Sequence, residues 1–334
     1  MYSELKQSKK YYKEINIIRG IVVLFVLLGH SFPDFETGMT HFYALLITRF
    51  CYSFHMGLFF IISGFLETSK LLCLEVNFKL ELIKKAKRLL VPYLVYSFVT
   101  LGLKQIFNVY ANNSFSIKDV WKIFIGINPN GGLWFLWALF LIWGIAFCMF
   151  RYFKNIYFLI MLGIILHILN LFFSFGFLYP ILRYFVFYTI GMIIYKNYPK
   201  YKNMLKTNII LPIISLCIVM FFSVLSSLGI IKEQFYLISS LFGSYAIWNI
   251  SIRISAKDSF INKMFNLFGD YSYDLYLLSY FAQMSVRTIF ARMFNLEYWI
   301  VVLLMFVFGI IFPYVLSKYF LRKNKYTSLF FLGK

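Results

Sequence analysis

Runs of roughly twenty apolar residues recur along this chain, separated by short interruptions rich in lysine, and this pattern constrains the fold more than any motif. No water reaches backbone N–H and C=O groups in hydrocarbon, so such runs must satisfy them internally, and their length suits helices. Hydrophobic residues make up 61% of the 334 and charged residues 14%, which leaves no stretch polar enough for a separate soluble domain. The expected fold is all-α: a polytopic bundle of about ten transmembrane helices, one integral-membrane domain over 1–334.

Breakers between the runs place these helices at about 15–32, 42–66, 89–108, 133–150, 156–173, 178–195, 208–229, 235–252, 268–291 and 298–320. The basic residues test the count. With the N-terminus inside, 24 of the 33 lysines and arginines fall on inner segments and 6 on outer ones, and Arg19, Arg183 and Arg287 lie within apolar runs. This asymmetry predicts both termini on the cytoplasmic side of a cell membrane. Abundant Phe, Tyr, Ile, Lys and Asn matches AT-rich bacterial coding, so a bacterial cytoplasmic membrane is expected. The net charge of +20 is then a topology signal, with no nucleic acid as partner.

The four cysteines, Cys51, Cys73, Cys148 and Cys217, form no C-x-x-C pair and read as packing residues. The segment "HSFPDFETGM" has no small-x-small cleavage site, so the first apolar run is expected to stay as a helix. Two loops exceed a turn. The inner "ETSKLLCLEVNFKLELIKKAKR" suits an amphipathic helix on the inner leaflet, and the outer "VYANNSFSIKDVWKIFIGINPNGG" a partly ordered cap.

Charged side chains at mid-bilayer cost at least ~2.5–3.5 kcal/mol each, so those inside the runs are candidates for function. Arg19 and His30 share the first helix. Eleven residues are three turns plus about 20° and span about 16 Å, so both side chains face the same way at opposite ends. An arginine fork suits a phosphate near the inner face, and an imidazole suits proton abstraction deep in the bundle. The competing reading makes Arg19 a snorkelling anchor and His30 an interfacial residue.

In "SFHMGLFFIISGFLETS", His55 and Ser63 lie nearly on one face, either as substrate contacts or as a core histidine and a small Ser-Gly packing pair. Arg183, and Asp270 and Asp274 one turn apart with Arg287 further along, either pair with one another or bind substrate. A metal site from His30, His41 and His55 with Asp34 or Glu36 lacks ligand spacing, and no metal is expected. Neither a phosphate-cradling glycine loop nor a G-x-S-x-G elbow is present.

Arg19-Gly20 followed by an apolar stretch and His30 resembles the opening motif of the membrane acyltransferase type 3 family. The likeness continues in order through "FHMGLFFIISGFL", "KRLLVPYLVYS", "LWFLWALFL" and "YFVFYTIGMIIYK". It implies an enzyme of ten helices that takes an acyl group, usually acetyl, from cytoplasmic acyl-CoA (acetyl-CoA) and places it on a hydroxyl of a surface or capsular polysaccharide. By motif position His30 would be catalytic and Arg19 its essential arginine. His55, Ser63, Arg183 and Ser279 are the candidate substrate-binding residues. The expected partners are membrane lipid, acyl-CoA and a carbohydrate acceptor, together with a second copy of the chain or polysaccharide-synthesis proteins.

Three departures stand out. Ser279 falls where the family's "YLLH" ends in histidine, and a serine cannot titrate. Gly57 stands where proline is common, which should straighten or loosen the second helix. The extracytoplasmic hydrolase-like domain of some relatives is not expected here, so transfer is completed in the membrane or handed to another protein. Two other classes fit ten helices with buried charges: a transporter or flippase of a glycan intermediate, and an inactive accessory partner in polysaccharide synthesis.

Overall fold

The computed structural model describes residues 12–34, 41–73, 76–106, 115–173, 175–231 and 235–334. Lys6, Lys9, Lys10, Glu36, Lys232, the side chain of Lys206 and the start of the outer loop lie outside these residues. Regular structure among the described residues is helical: α1 (Lys13–Gly29), α2 (Phe42–Tyr52), α3 (His55–Leu72), α4 (Phe78–Lys85), α5 (Val91–Ile106), α6 (Trp134–Phe153), α7 (Ile156–Phe172), α8 (Tyr179–Lys196), α9 (Tyr198–Thr207), α10 (Ile210–Ser227), α11 (Tyr236–Ser255), α12 (Phe260–Val286), α13 (Tyr298–Leu316) and α14 (Lys325–Leu332). Helix therefore occupies each of the ten expected ranges. Six helical stretches are long and apolar enough to cross a membrane: Phe42–Leu72, Phe78–Ile106, Gly131–Phe153, Gly176–Lys196, Ile210–Ser227 and Tyr298–Leu321. The chain is a polytopic membrane bundle.

Two loops differ from expectation in instructive ways. The amphipathic inner segment is short, and α4 runs without a break through a π turn, Ala86–Leu90, into α5. In the outer loop, a 3-10 helix, Ile117–Ile125, is pinned to the bundle: Tyr93 donates to the Ile123 carbonyl (2.6 Å) and Trp137 to that of Phe124 (3.3 Å).

α1 is central, touching α12, α11, α2 and α3, while α8 joins α3 to α7 and α12 joins α1 to α13. Small residues set these contacts, because van der Waals packing must substitute for a hydrophobic drive in lipid. A Cβ at Gly64 would lie 2.8 Å from the Tyr188 carbonyl carbon, and one at Gly191 2.8 Å from the Phe65 nitrogen. The two glycines thus seat α3 and α8 backbone to backbone. Gly20 and Gly269 do the same for α1 and α12, where added Cβ atoms would meet Gly269 N at 3.0 Å and the Asn16 carbonyl carbon at 2.8 Å.

The lysine-rich end is held by ions. Asp274, fully buried on α12, accepts from Ser317 Oγ (2.5 Å), Arg322 Nε (2.6 Å) and Lys334 Nζ (3.2 Å). Asp270 accepts from Asn16 Nδ2 (3.0 Å). Both acids are tied to their neighbours in the fold. α14 closes the same end, with Arg88 donating to the Leu332 carbonyl (3.1 Å). Burial holds the Lys334 ammonium below its ordinary pKa, against the pull of Asp274. Nearby, buried Glu14 accepts from Tyr198 and from Lys202 (2.7 Å).

Two substitutions check this account. Gly64→Ala should lower thermal stability in detergent by about 1–3 kcal/mol, whereas Gly144→Ala, whose added Cβ meets nothing within 4 Å, should not. Asp274→Asn should cost about 3–5 kcal/mol by stranding two cations, read as a fall in Tm.

Candidate active site

His30 follows the last turn of α1 as its C-cap, at φ −94° and ψ 1°, with its backbone N–H still bonded to the Val26 carbonyl (3.1 Å). The end of α1 is then fastened from two sides. Ser31 Oγ donates back to the Leu27 carbonyl (2.6 Å), and Gln283 of α12 reaches across to donate to that carbonyl (2.9 Å) and to Ser31 Oγ (3.0 Å). These bonds satisfy carbonyl groups that a helix end leaves exposed, and they fix where the imidazole starts.

The tip of the imidazole meets Tyr52. The phenol oxygen lies 3.0 Å from His30 Nδ1 and 2.8 Å from Nε2, so it steadies the ring without dictating its tautomer. Gly29 makes room for it, since a Cβ there would come within 2.7 Å of the Tyr52 ring. Tyr52 ends α2, and the helix breaks at Ser53–Phe54 before α3 begins at His55. Phe54 takes φ −141° and ψ −23° there. The second apolar run is thus interrupted just ahead of Gly57, where a straighter or looser helix was expected.

The break turns His55 towards the same cluster. Its ring packs edge-on against Tyr52, centroids 4.8 Å apart, and its Nδ1–H donates to the Cys51 carbonyl (2.6 Å). In the neutral ring this leaves Nε2 as the acceptor nitrogen. His55 is buried at 1% exposure, whereas His30 is half-buried. The arrangement offers one accessible imidazole, a phenol to orient it, and a second imidazole behind.

The other candidates lie apart from this cluster. Arg19 is half-buried about 16 Å down α1, and Val26, between the two on that face, is buried. Ser63 donates to the Phe59 carbonyl of its own helix (2.8 Å), about 12 Å along α3 from His55. The guanidinium of Arg183, buried on α8, sits among aromatic rings, 3.9 Å from the Tyr236 centroid and 5.2 Å from that of Tyr179. Its carbonyl accepts from His167 Nδ1 (3.0 Å). Ser279 is buried on α12 one turn below Gln283, in the row that faces α1. His41 occupies the N-cap position of α2, and its ring lies tilted at 44° against that of Tyr298, centroids 4.1 Å apart. Among the described residues, no three His, Cys, Asp or Glu side chains form a group able to hold a metal.

Tyr52 and Gln283 escaped the sequence reading. Nothing marks Tyr52 among 26 tyrosines except Gly29, the small residue beside His30 that lets an aromatic ring approach.

The helical bundle thus places an imidazole–phenol–imidazole cluster at one end of α1 and an arginine on the same face of that helix, about 16 Å away. The acyltransferase 3 family model, described as an acyltransferase domain, matches residues 12–318. The chain belongs to that family of membrane acyltransferases. No curated protein and no solved structure matches it.

Replacing Tyr52 by Phe removes the hydroxyl and keeps the ring. The rate of acyl transfer should fall about 10–100-fold, carried by kcat with KM for the donor little changed, in a steady-state assay on purified protein. An unchanged kcat would remove Tyr52 from the site.

Proposed function

We propose that this acyltransferase moves an acyl group, acetyl in the first instance, from acyl-CoA at the lysine-rich end to a hydroxyl of a cell-surface or capsular polysaccharide at the His30 end. The observation that carries the reading is the cluster of His30, Tyr52 and His55 at the tip of a helix whose same face bears Arg19. In this reading the chain makes ten crossings with both termini cytoplasmic in a bacterial cytoplasmic membrane, which the 24-to-6 distribution of basic residues supports.

Arg19 would meet the anionic end of CoA, because a guanidinium binds phosphate oxygens through paired N–H donors. The acyl arm would then run along α1 towards His30, spanning the roughly 16 Å between them. His30 takes the proton of the acceptor hydroxyl as that oxygen attacks the thioester carbonyl. The tetrahedral intermediate collapses, a C–O ester bond replaces the C–S bond, and the imidazolium returns its proton to the departing CoA thiolate. Tyr52 keeps the imidazole aimed through this exchange. An acyl group resting transiently on His30 would give the same products in two displacements. Ser279, Ser63 and Arg183 are left as contacts along the path of the substrates.

The test is the acetyl content of surface polysaccharide, measured by proton NMR in cells carrying wild type, His30→Ala, Arg19→Ala or no copy of the gene, with membrane levels checked. Acetyl signal should vanish in all but wild type while polymer and protein persist. Unchanged acetylation in the variants, or loss of the polymer itself, would favour an accessory or transport role.

A further inference from the structure

His30 stands at the C-cap of α1, with φ −94° and ψ 1° already outside the helical run, and helix ends are where a backbone frays. A general base placed there needs an external hold. The structure supplies one in a closed set of three hydrogen bonds. Gln283 Nε2 donates to the Leu27 carbonyl (2.9 Å) and to Ser31 Oγ (3.0 Å), and Ser31 Oγ donates to that same carbonyl (2.6 Å). A carbonyl oxygen can only accept, so the nitrogen of the Gln283 amide must face Leu27, and the orientation of the amide is fixed. Leu27 and Ser31 are fully buried and Gln283 is 4% exposed, so the three bonds form away from bulk water.

His30 lies between the two residues held in this way. The Ser31 N–H bonds the Leu28 carbonyl (3.0 Å) and that of His30 the Val26 carbonyl (3.1 Å). With its backbone tied on both sides, the imidazole keeps mainly its own side-chain torsions, and Tyr52 Oη, 2.8 Å from Nε2, restrains these.

The carrier of the amide is itself anchored. Nine residues before Gln283, about 13.5 Å along α12, Asp274 is bonded to Ser317, Arg322 and Lys334. On the other side, α13 presents Gly309, where a Cβ would lie 3.1 Å from Gln283 Nε2. The amide therefore sits in a space that a larger residue would contest.

We propose that Gln283 is a positioning residue for His30, acting through Leu27 and Ser31. Its part in catalysis rests on the acyltransferase reading above. Proton removal from the acceptor hydroxyl needs the imidazole nitrogen within about 3 Å of it, and a displacement of about 1 Å can cost about 100-fold in rate. Without the amide, Leu27 and Ser31 still satisfy each other, so the loss falls on rate more than on stability.

The test uses full-length protein in nanodiscs. Gln283→Met keeps the length of the side chain and removes the amide. Its kcat should fall about 10–100-fold, with KM for acetyl-CoA within about twofold and Tm little changed. Ser31→Ala should cost less, because Gln283 keeps the Leu27 carbonyl, and the double variant should lose less than the product of the two single losses. A second readout does not depend on activity. With histidine labelled by ¹³C, the His30 resonance, identified among the four histidines by its loss in His30→Ala, should be one narrow line in wild type and split or broadened in Gln283→Met. Should Gln283→Met not accumulate, Ser31→Ala carries the same two readouts. Unchanged kcat, a raised KM at constant kcat, multiplicative losses in the double variant, or an unaltered His30 line in folded Gln283→Met would each overturn the proposal. Absence of acyl transfer by wild type would remove the enzyme reading, while the resonance still decides whether Gln283 orders His30.

Discussion

α1 and α12 approach so closely at Gly20 and Gly269 that neither position has space for a side chain, and Gln283 of α12 bonds the last turn of α1. This seating fixes both the depth and the rotation of α1 in the bundle. Arg19 and His30 inherit their places from it, and so does the turn that carries the chain on to Pro33 and Asp34. Were α1 free to rotate by one residue, about 100°, the arginine and histidine would leave their present neighbours together.

The same seating separates two kinds of chemistry. At the lysine-rich end, cations meet buried acids: Asp274 binds Arg322 and Lys334, and Glu14 binds Lys202. At the His30 end the polar groups are uncharged or titratable: His30, Tyr52, His55 and Gln283. Between them lies a core dominated by aliphatic and aromatic side chains such as Val22, Phe60, Tyr184 and Phe187. A substrate with an anionic head and a reactive tip matches this polarity, because each end finds its own environment without a charge stranded in the middle.

Much of the helical framework was legible because apolar runs and their breakers are local properties of the chain. Arg19 and His30 could be placed on one face for the same reason, since both sit on one uninterrupted helix. His55 was visible as a candidate, but its meeting with His30 depends on the break at Ser53–Phe54, where no proline marks the bend. Tyr52 enters only through that break. The partners of Asp274 come from residues 317 to 334, and the nearest ring to the Arg183 guanidinium is that of Tyr236, separations at which helix periodicity carries no information. Ser63 bonds the Phe59 carbonyl of its own helix, next to the Gly64 that meets α8.

The central claim is that one helix face links a donor at one membrane surface to an acceptor at the other. The most direct measurement reconstitutes the protein in sealed vesicles of known orientation, with polysaccharide from cells lacking the gene inside and acetyl-labelled CoA outside. In vesicles exposing the lysine-rich end, label should accumulate on the enclosed polymer, and it should stay with CoA when His30 is alanine. Label on the enclosed polymer only in the opposite orientation, or transfer that survives loss of His30, would contradict the account.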